Sequence, residues 1–394
     1  MDIHIIKNSY HVPEKLIYGS HALEKELHES PYEGISEVSM FLYDLRRNHK
    51  EEILTKYRKI AVGDIFDCEY QSNKIYFHSY EKDGDHLVIF LHRYDYYTDT
   101  VETIYHYVED FSLFPHQVKI QFFVLNDSHL LIQKAHLRSN LSESYHDYLD
   151  FEQTLYHIKE KREVRVIDEN FANNGIAYIE AISPTEIMIK TGFSLIEDKR
   201  YEKLEPFEMS VESIGIANTA RIVSDLYLTQ NNLIITMIEQ AFQTKTFANY
   251  YVKAPYLVYS TVNFESYEET VVFYNYETRE VVCSYINHDI TDATMLAKTH
   301  VIAGSPYIQL DSEDGVDLYE LLEPQNSIHI PQEEKLIGSF DDYILIETSK
   351  KALLGGKEQK RVRIQKIPED VLHTEKGTYI GALADKDNLY LFVQ

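Results

Sequence analysis

The chain has 394 residues, of which 38 are Lys or Arg and 64 are Asp or Glu, so its formal net charge is −26 with neutral histidine. Nucleic acids and anionic membranes are bound through clustered cations, and this excess of negative charge therefore argues against both as partners. A hydrophobic fraction of 44% and a charged fraction of 26% exclude a disordered acidic tail and are typical of a globular protein with a buried core.

Cysteine usage and the lack of targeting segments predict a cytoplasmic protein. Two cysteines, Cys68 and Cys283, are too few for a disulfide framework or a Cys-based zinc site, so both are expected to be buried free thiols. The first eight residues lack the basic region and the apolar stretch of a secretory signal. No window reaches the roughly 18 apolar residues that a spanning helix needs.

The composition predicts strands throughout. There is no tryptophan, but 32 tyrosines and 18 phenylalanines occur in short runs with Val, Ile and Thr, which favour the half-buried surface of a sheet. Only 14 glycines and 10 prolines are present, so the turns must rely on Asp and Asn, which tolerate left-handed backbone conformations.

In chain order, the predicted elements are strands joined by short polar turns, with one exception near the start. Residues 21–28 have Leu23 and Leu27 at a spacing of i, i+4, which predicts a short surface helix. After it, turn residues between apolar runs predict three hairpins. They are residues 74–78 with 86–91, which continues into a strand at 101–105, then 118–125 with 129–133, and 226–228 with 233–238.

One degenerate pattern recurs: an apolar strand, an aromatic residue followed by an Asp, Asn or His, a polar turn, and a β-branched strand, with a weaker copy in which Glu320 follows Tyr319. Its aromatic positions are spaced by 51, 62, 118 and 45 residues, and the long gap predicts a missing copy between 193 and 209. A period of this length, with about four short antiparallel strands, is typical of a β-propeller blade. The sequence therefore predicts an all-β propeller, with seven blades favoured and six or eight allowed. The five positions are Tyr43, Tyr94, Tyr156, Tyr274 and Tyr319.

This pattern resembles the blades of WD40-like and lactonase-like β-propellers, in which such a pair lies between the third and fourth strands. The Trp-Asp dipeptide of WD40 repeats, the double glycines of kelch blades and the Trp-containing box of sialidases are absent, so no specific family is identified. The resemblance implies one propeller domain over residues 1–394, with apolar terminal strands at 3–6 and 389–393 closing one blade. The alternative is two β-sandwich domains built from unrelated hairpins, which no Pro/Gly/Ser-rich linker supports.

Histidine is the first candidate for a metal site. If the hairpin turns at residues 98–100, His92 and His106 face each other across two strands and can share a metal, but a register shift of one residue separates them. No third ligand is placed, so surface pairing is favoured and no metal is predicted. The acidic segment 311–315 lacks the spacing of a calcium loop and only weakly suggests calcium.

Motifs for nucleophiles and phosphate groups are also absent. There is no Gly-x-Ser-x-Gly elbow, phosphate-binding loop or dinucleotide fingerprint, so no cofactor is predicted and the catalytic residues are unknown. The segment 354–357 superficially resembles a phosphate loop, but Glu358 follows its lysine, and a hairpin turn is predicted instead. The basic residues at 357–363 are expected to be solvated and to offer a docking point for an acidic partner or a second copy.

The functional expectation from the sequence is a non-catalytic interaction or scaffold propeller that presents one face to a protein partner. Its tyrosines are expected to fill the space between blades. The alternative is an enzyme that acts on a small carbohydrate or lactone at the mouth of the central channel through inward-facing Asp, Glu, His and Tyr. A homo-oligomeric propeller is a third alternative. An enzyme requires a pocket with converging titratable groups, which a scaffold does not.

Overall fold

The computed structural model describes the chain as β-sheet joined by turns, with three short 3-10 helices among the described residues at Thr55–Tyr57, Ala293–Met295 and Pro324–Asn326. The residues that it describes are 2–13, 15–29, 36–57, 66–67, 74–110, 118–126, 128–137, 149–166, 176–183, 186–191, 194–195, 222–230, 234–242, 245–263, 265–288, 290, 293–350, 359–368, 371–384 and 387–394. Among them there is no helix with the length and apolar character needed to cross a bilayer.

The chain divides into two compact units. The first unit combines residues 1–19 with residues 245–394, and its described strands form a three-stranded sheet (β1, β32, β31) and three four-stranded sheets (β19 to β22, β23 to β26, β27 to β30). Its strands are β1 (Asp2–Lys7), β2 (Lys15–Tyr18), β19 (Lys245–Lys253), β20 (Tyr256–Asn263), β21 (Glu268–Asn275), β22 (Glu280–Asn287), β23 (Lys298–Ile302), β24 (Ser305–Ser312), β25 (Gly315–Glu320), β26 (Ile328–Pro331), β27 (Glu334–Phe340), β28 (Tyr343–Lys350), β29 (Gln359–Lys366), β30 (Val371–Lys376), β31 (Tyr379–Ala384) and β32 (Asn388–Val393).

The second unit covers residues 20–244, and its strands pair antiparallel, in consecutive order except that β15 and β16 both pair with β17. Its sheets comprise β3 to β5, β6 to β9, β10 to β13, and β14 to β18. The strands are β3 (His21–Glu29), β4 (Ser36–Asp44), β5 (His49–Ile53), β6 (Phe66–Asp67), β7 (Lys74–Asp83), β8 (His86–Asp95), β9 (Thr100–Asp110), β10 (Val118–Asn126), β11 (His129–Leu137), β12 (Leu149–His157), β13 (Arg162–Val166), β14 (Ile176–Ser183), β15 (Glu186–Thr191), β16 (Ser194–Leu195), β17 (Ile222–Gln230) and β18 (Ile234–Phe242).

The all-β, propeller-type fold class predicted from the sequence is confirmed. The described strands form four sheets in each unit, eight together, which is one more than the favoured seven and equal to the upper number that the sequence allowed. The single domain over 1–394 stays a prediction. The terminal strands are neighbours in one sheet, where β1 runs parallel to β32 and Ile5 lies beside Leu391.

The recurring pattern is confirmed at its five predicted positions, because its second residue ends the strand before the last strand of a sheet. These residues are Asp44, Asp95, His157, Asn275 and Glu320, at the ends of β4, β8, β12, β21 and β25. The copy expected at 193–209 lies outside the described residues, apart from the two residues of β16.

A side-chain hydrogen bond explains why the pattern needs a short acceptor residue. Asp95 Oδ1 accepts from the backbone N–H groups of Tyr97 and Thr98 at 3.0 and 3.2 Å, and so closes the turn after β8. Asp99 then takes a left-handed φ of 51° and returns the chain into β9. The turns after Asp44, His157 and Asn275 also have a left-handed residue four positions later, at Asn48, Lys161 and Arg279.

The helix predicted at residues 21–28 is wrong, because this segment is strand β3 and pairs with β4 along its whole length. A spacing of four residues also places two side chains on the same face of a strand, so Leu23 and Leu27 fit both structures. The adjacent residues Ala22 and Leu23 are both buried, so both faces of this strand are covered. Such two-sided burial belongs to an inner strand of a sheet rather than to a surface helix.

The core consists of apolar side chains packed between successive sheets. In the second unit, Tyr76 and Leu91 pack against Phe122 and Ile132 of the next sheet. In the first unit, Leu389 and Leu391 of β32 pack with side chains of β28 and β29. In the first unit β20 and β32 are buried along nearly their whole length, whereas β19, β27 and β31 are left partly exposed.

Candidate functional site

The first strands of the four sheets in the first unit line an open space. β19, β27 and β31 carry almost only partly exposed residues, whereas β20 and β32, which follow two of them, are buried along nearly their whole length. A strand whose two faces are both partly exposed has water or an empty space beside it. These first strands are therefore the scaffold on which a site can be built.

A pocket of about 360 Å³ lies among these strands, within the size range of small-molecule sites. Each of the four first strands contributes to its wall. Five of the eight lining side chains carry polar groups, and three are apolar. The lining residues are Tyr251, Lys253, Thr299, His300, Val301, Ser339, Phe340 and Ala384.

A serine and a histidine on neighbouring sheets are hydrogen-bonded in this pocket. Ser339 Oγ of β27 lies 3.0 Å from His300 Nδ1 of β23. The other ring nitrogen, Nε2, lies 3.3 Å from the amide oxygen of Gln309 on β24. A hydroxyl, an imidazole and a third group that orients the ring are the components of an activated serine nucleophile.

The hydrogen-bond network assigns the histidine tautomer. The amide nitrogen of Gln309 donates to Asp311 Oδ1 at 2.8 Å, so the amide oxygen is the atom that faces His300. His300 Nε2 must then carry the hydrogen and donate it, which leaves a lone pair on Nδ1. Nδ1 can accept the hydroxyl hydrogen of Ser339. Lys298 Nζ forms an ion pair with Asp311 Oδ2 at 3.1 Å, and this ion pair is the last contact of the network.

The electrostatic surroundings keep His300 neutral. Burial lowers the pKa of its imidazole, and the charge of Lys298 acts in the same direction, while the hydrogen bond to Gln309 opposes them. A neutral imidazole is able to take up a proton at neutral pH. The hydrogen bonds from Gln309 and Lys298 lower the pKa of Asp311, so this carboxylate is ionised.

Two further polar pairs involve side chains that line the pocket. Lys253 Nζ is 2.8 Å from Asp341 Oδ1, and both side chains are partly exposed. The Tyr251 hydroxyl is 2.8 Å from Thr299 Oγ1. Burial raises the pKa of Tyr251, so its hydroxyl remains protonated and can donate a hydrogen bond. These groups can bind polar atoms of a ligand while Ser339 and His300 react with it.

The predicted pairing of His92 with His106 is wrong. The hairpin pairs Asp95 with Thr100 rather than turning at 98–100, so His92 lies beside Thr103, and beyond a β-bulge between Leu91 and His92 it is Phe90 that lies beside His106. The expectation that His92 lies on the surface is wrong too, because it is only 4% exposed. The part of the chain that the structure describes contains no group of three or more His, Cys, Asp or Glu side chains suited to a metal.

His92 takes part in a second contact with a serine. Ser79 Oγ lies 2.6 Å from His92 Nε2, and Thr103 Oγ1 lies 3.0 Å from Nδ1. Burial lowers the pKa of His92 to about 4. Ser79 and His92 are both buried, and they are not part of the pocket described above. We interpret this second contact as a polar group satisfied inside the packed sheets.

The remaining predicted features have mixed outcomes. Arg363 of the basic segment is bidentate to Glu334, so this side chain is paired within its own sheet rather than freely solvated. Cys283 is a free, partly buried thiol whose pKa burial raises to about 11. Cys68 and the turn predicted at 354–357 lie outside the described residues.

Ser339 and His300 are functional residues that the sequence did not predict. They are 39 positions apart in the chain, and neither lies in a recognised catalytic motif. The sequence offered only a weak signal for these two residues, which is their position in the repeat. In the repeat, the first strand of each sheet should line an inner surface, so a polar residue on such a strand is a candidate for function. Ser339, His300 and Lys253 all meet this condition.

Comparisons with known proteins identify the fold and not the family. No protein-family model matches the sequence, and no curated protein matches it either. Among solved structures, dipeptidyl peptidase 4 of Porphyromonas gingivalis is similar with a TM-score of 0.52 at 13% identity, over 91% of this chain and 51% of the peptidase. The chain thus spans about half of that peptidase's length.

Two other solved structures show weaker similarity. The acylaminoacyl peptidase of Pyrococcus horikoshii has a TM-score of 0.43 at 10% identity, over 97% of this chain and 64% of its own. The α-L-arabinofuranosidase Arb93A of Fusarium graminearum has a TM-score of 0.40 at 10% identity, over 90% of this chain and 92% of its own. The expectation of a non-catalytic scaffold is contradicted by the similarity to dipeptidyl peptidase 4.

Proposed function

We propose that this protein is a hydrolase that cleaves a small ester or lactone in the pocket of its first unit, with Ser339 as nucleophile and His300 as general base. The observation that carries this proposal is the hydrogen bond of 3.0 Å between Ser339 Oγ and His300 Nδ1 inside a pocket of about 360 Å³. The fold that the chain shares with hydrolytic enzymes supports it.

The reaction follows from the tautomer of the histidine. Ser339 Oγ attacks the carbonyl carbon of the substrate while its proton passes to His300 Nδ1, and a C–O bond forms. The ester C–O bond then breaks, and His300 returns the proton to the departing oxygen. A water molecule, deprotonated by the same nitrogen, attacks the acyl group and releases Ser339. While Nδ1 holds the proton, the amide oxygen of Gln309 accepts the hydrogen bond from Nε2–H and stabilises the imidazolium.

Acyl transfer fits the pocket better than glycoside hydrolysis does. A glycosidase needs two carboxyl groups that face the scissile bond, about 5 to 9.5 Å apart. Among the described residues that line the pocket there is no carboxylate, and Asp341 at its edge is paired with Lys253. Acyl transfer instead needs a nucleophilic hydroxyl and a base beside it, which Ser339 and His300 supply.

The test is the hydrolysis of p-nitrophenyl acetate and δ-valerolactone by the full chain. Removal of the nucleophile in Ser339→Ala and of the base in His300→Ala is expected to lower kcat/KM about 1000-fold or more for both substrates. A fluorophosphonate probe is expected to label Ser339, as located by mass spectrometry of peptides, and to leave S339A unlabelled.

Ser39→Ala serves as the matched control, because Ser39 Oγ is hydrogen-bonded to His28 Nε2 at 3.1 Å on an exposed surface of the other unit. This variant is expected to retain full activity. Hydrolysis that survives in a folded S339A variant, or labelling of another serine, would show that the proposed nucleophile is wrong. Circular dichroism spectra of all variants establish that they are folded.

A further inference from the structure

Besides Ser339 and His300, the pocket contains polar side chains that the acyl-transfer steps do not use. Lys253 and Asp341 form an ion pair at one side of it, and Tyr251 and Thr299 form a hydroxyl pair on the first strands of two adjacent sheets. A site for an unsubstituted aliphatic ester would be lined mainly by apolar groups. This wall instead offers several donors and acceptors to a ligand.

The ion pair suits a neutral ligand with hydroxyl groups. An ammonium group has three hydrogens, and Asp341 Oδ1 takes one of them. The carboxylate retains further lone pairs, so a pair of neighbouring hydroxyl groups can accept from Lys253 and donate to Asp341 together. Because the two charges cancel, neither an anionic nor a cationic ligand gains much from this site. Hydrogen bonds with charged groups are the strong ones, which favours hydroxylated ligands.

The pocket also has aromatic side chains on which the ring of a ligand can pack. The side chains of Tyr251 and Phe340 both line the pocket, and Val301 and Ala384 add small apolar surfaces. A ring that carries hydroxyl groups at its edge has C–H groups on its faces, and these can pack on aromatic side chains. The Tyr251 and Thr299 hydroxyl groups can each act as donor or acceptor toward a further ligand hydroxyl.

We propose that the substrate of this site is a neutral, polyhydroxylated cyclic ester, that is, a sugar-derived lactone, and that Lys253 and Asp341 recognise its hydroxyl groups. This inference rests on the proposed hydrolase function and names its substrate class. Lys253 and Asp341 determine specificity, whereas Ser339 and His300 perform the reaction.

The experiment compares D-glucono-1,5-lactone with δ-valerolactone, which has the same six-membered ring without hydroxyl groups. Proton release is measured at pH 6.5 with the spontaneous rate subtracted. The wild-type protein is expected to have a kcat/KM about 100-fold higher for the hydroxylated lactone, since each hydrogen bond to a charged group contributes about tenfold. Lys253→Met and Asp341→Asn are each expected to raise KM for gluconolactone about tenfold and to leave KM for valerolactone unchanged.

Lys360→Met is the matched control for the loss of an ion-paired lysine. Lys360 Nζ pairs with Glu347 at 3.1 Å, its side chain is 37% exposed against 36% for Lys253, and it lies outside the pocket. It is expected to leave both kinetic constants of both lactones unchanged. Equal rates on the two lactones, or equal losses on both in K253M, would overturn the proposed substrate class.

A binding measurement separates this inference from the proposed function. 1,5-Anhydro-D-glucitol and tetrahydropyran are ring ethers that cannot be hydrolysed, and saturation-transfer NMR on the wild-type protein and K253M reports their binding. Binding of the anhydroglucitol alone, weakened about tenfold in K253M, supports polyol recognition even if no lactone is hydrolysed, in which case the hydrolase function is wrong. Ester hydrolysis without any binding of the polyol would support the hydrolase function and refute the proposed substrate class.

Discussion

At the scale of single residues, the candidate site differs from a Ser-His-Asp triad because the group that orients the histidine is an amide and not a carboxylate. Gln309 orients His300 through its oxygen and adds no formal charge beside the ring. Burial therefore determines the titration of the imidazole, and its pKa lies below the ordinary value of 6.5. Since the neutral ring is the active base, we expect kcat/KM to fall at low pH, with an acid limb at lower pH than an unperturbed histidine would give.

Gln309→Glu tests this arrangement. A carboxylate at this position stabilises the imidazolium form, so it raises the pKa of His300 and moves the acid limb of the pH profile of kcat/KM toward higher pH. A shift of about one pH unit is expected, because an opposite charge at this distance changes a pKa by about 1 to 3 units. The measurement is kcat/KM for p-nitrophenyl acetate between pH 4 and 9, with the histidine resonances followed by NMR.

Gln359→Glu is the control, since it adds the same charge at an exposed position at the start of β29. It is expected to leave the pH profile in place. An acid limb that does not move in Q309E would mean that Gln309 does not position the catalytic base.

At the scale of elements, tight approaches between strands limit which residues the turns accept. Gly315 begins β25 and lies beside Pro331 of β26, with a φ of +144°. A Cβ atom built on it would overlap the carbonyl oxygen of Ile330 and would lie 2.9 Å from the carbonyl carbon of Pro331. Both the backbone angle and the space therefore require glycine here.

Gly315→Ala is expected to destabilise the protein by about 2 kcal/mol or more, because the side chain must displace backbone of the neighbouring strand. Chemical denaturation followed by circular dichroism measures this free energy. Gly84→Ala is the comparison, since Gly84 has a φ of +59° but no atom lies within 4 Å of the position that a Cβ would take. Its cost is expected to be about 1 kcal/mol, from the left-handed conformation alone. Equal losses in the two variants would contradict the steric explanation.

At the scale of the whole molecule, the two ends of the chain belong to the same unit. Strand β1 supplies Ile3 and Ile5 to a cluster that contains Leu389 and Leu391 of β32. The pairing of β1 with β32 gives the last sheet a third strand and covers an edge that would otherwise be open. The stability of the first unit therefore depends on the first few residues of the chain.

Ile5→Asp is expected to destabilise the first unit by about 2 kcal/mol, because a charge replaces an apolar side chain in this cluster. Hydrogen exchange is expected to show faster exchange across residues 245–394, with protection retained at 74–110. The control is Lys7→Gln, which removes only a surface ion pair with Glu375 and should cost less than about 1 kcal/mol. Loss of protection in both units together would instead support the single domain that the sequence predicts.

The sequence by itself determined the local features of this protein. Alternating apolar residues predicted the strands, and the recurring aromatic and Asp or Asn pair predicted the turns, because both depend on residues that are close in the chain. The pattern around Tyr94 and Asp95 was sufficient, since the carboxylate bonds to backbone only two and three residues further on. The i, i+4 spacing at Leu23 and Leu27 was not sufficient, because helix and strand both satisfy it.

Only the tertiary structure decided the site. Ser339, His300 and Lys253 come from three separate sheets, and their approach depends on how successive sheets pack, which no local pattern encodes. The partner of His92 likewise depends on the register of β8 against β9, which places it beside Thr103 and not beside His106. A one-residue change in register reverses the face of a side chain, so histidine pairs in strands cannot be assigned from spacing alone. A site formed by side chains of strands that are distant in the chain can therefore be identified only once the packing of the sheets is known.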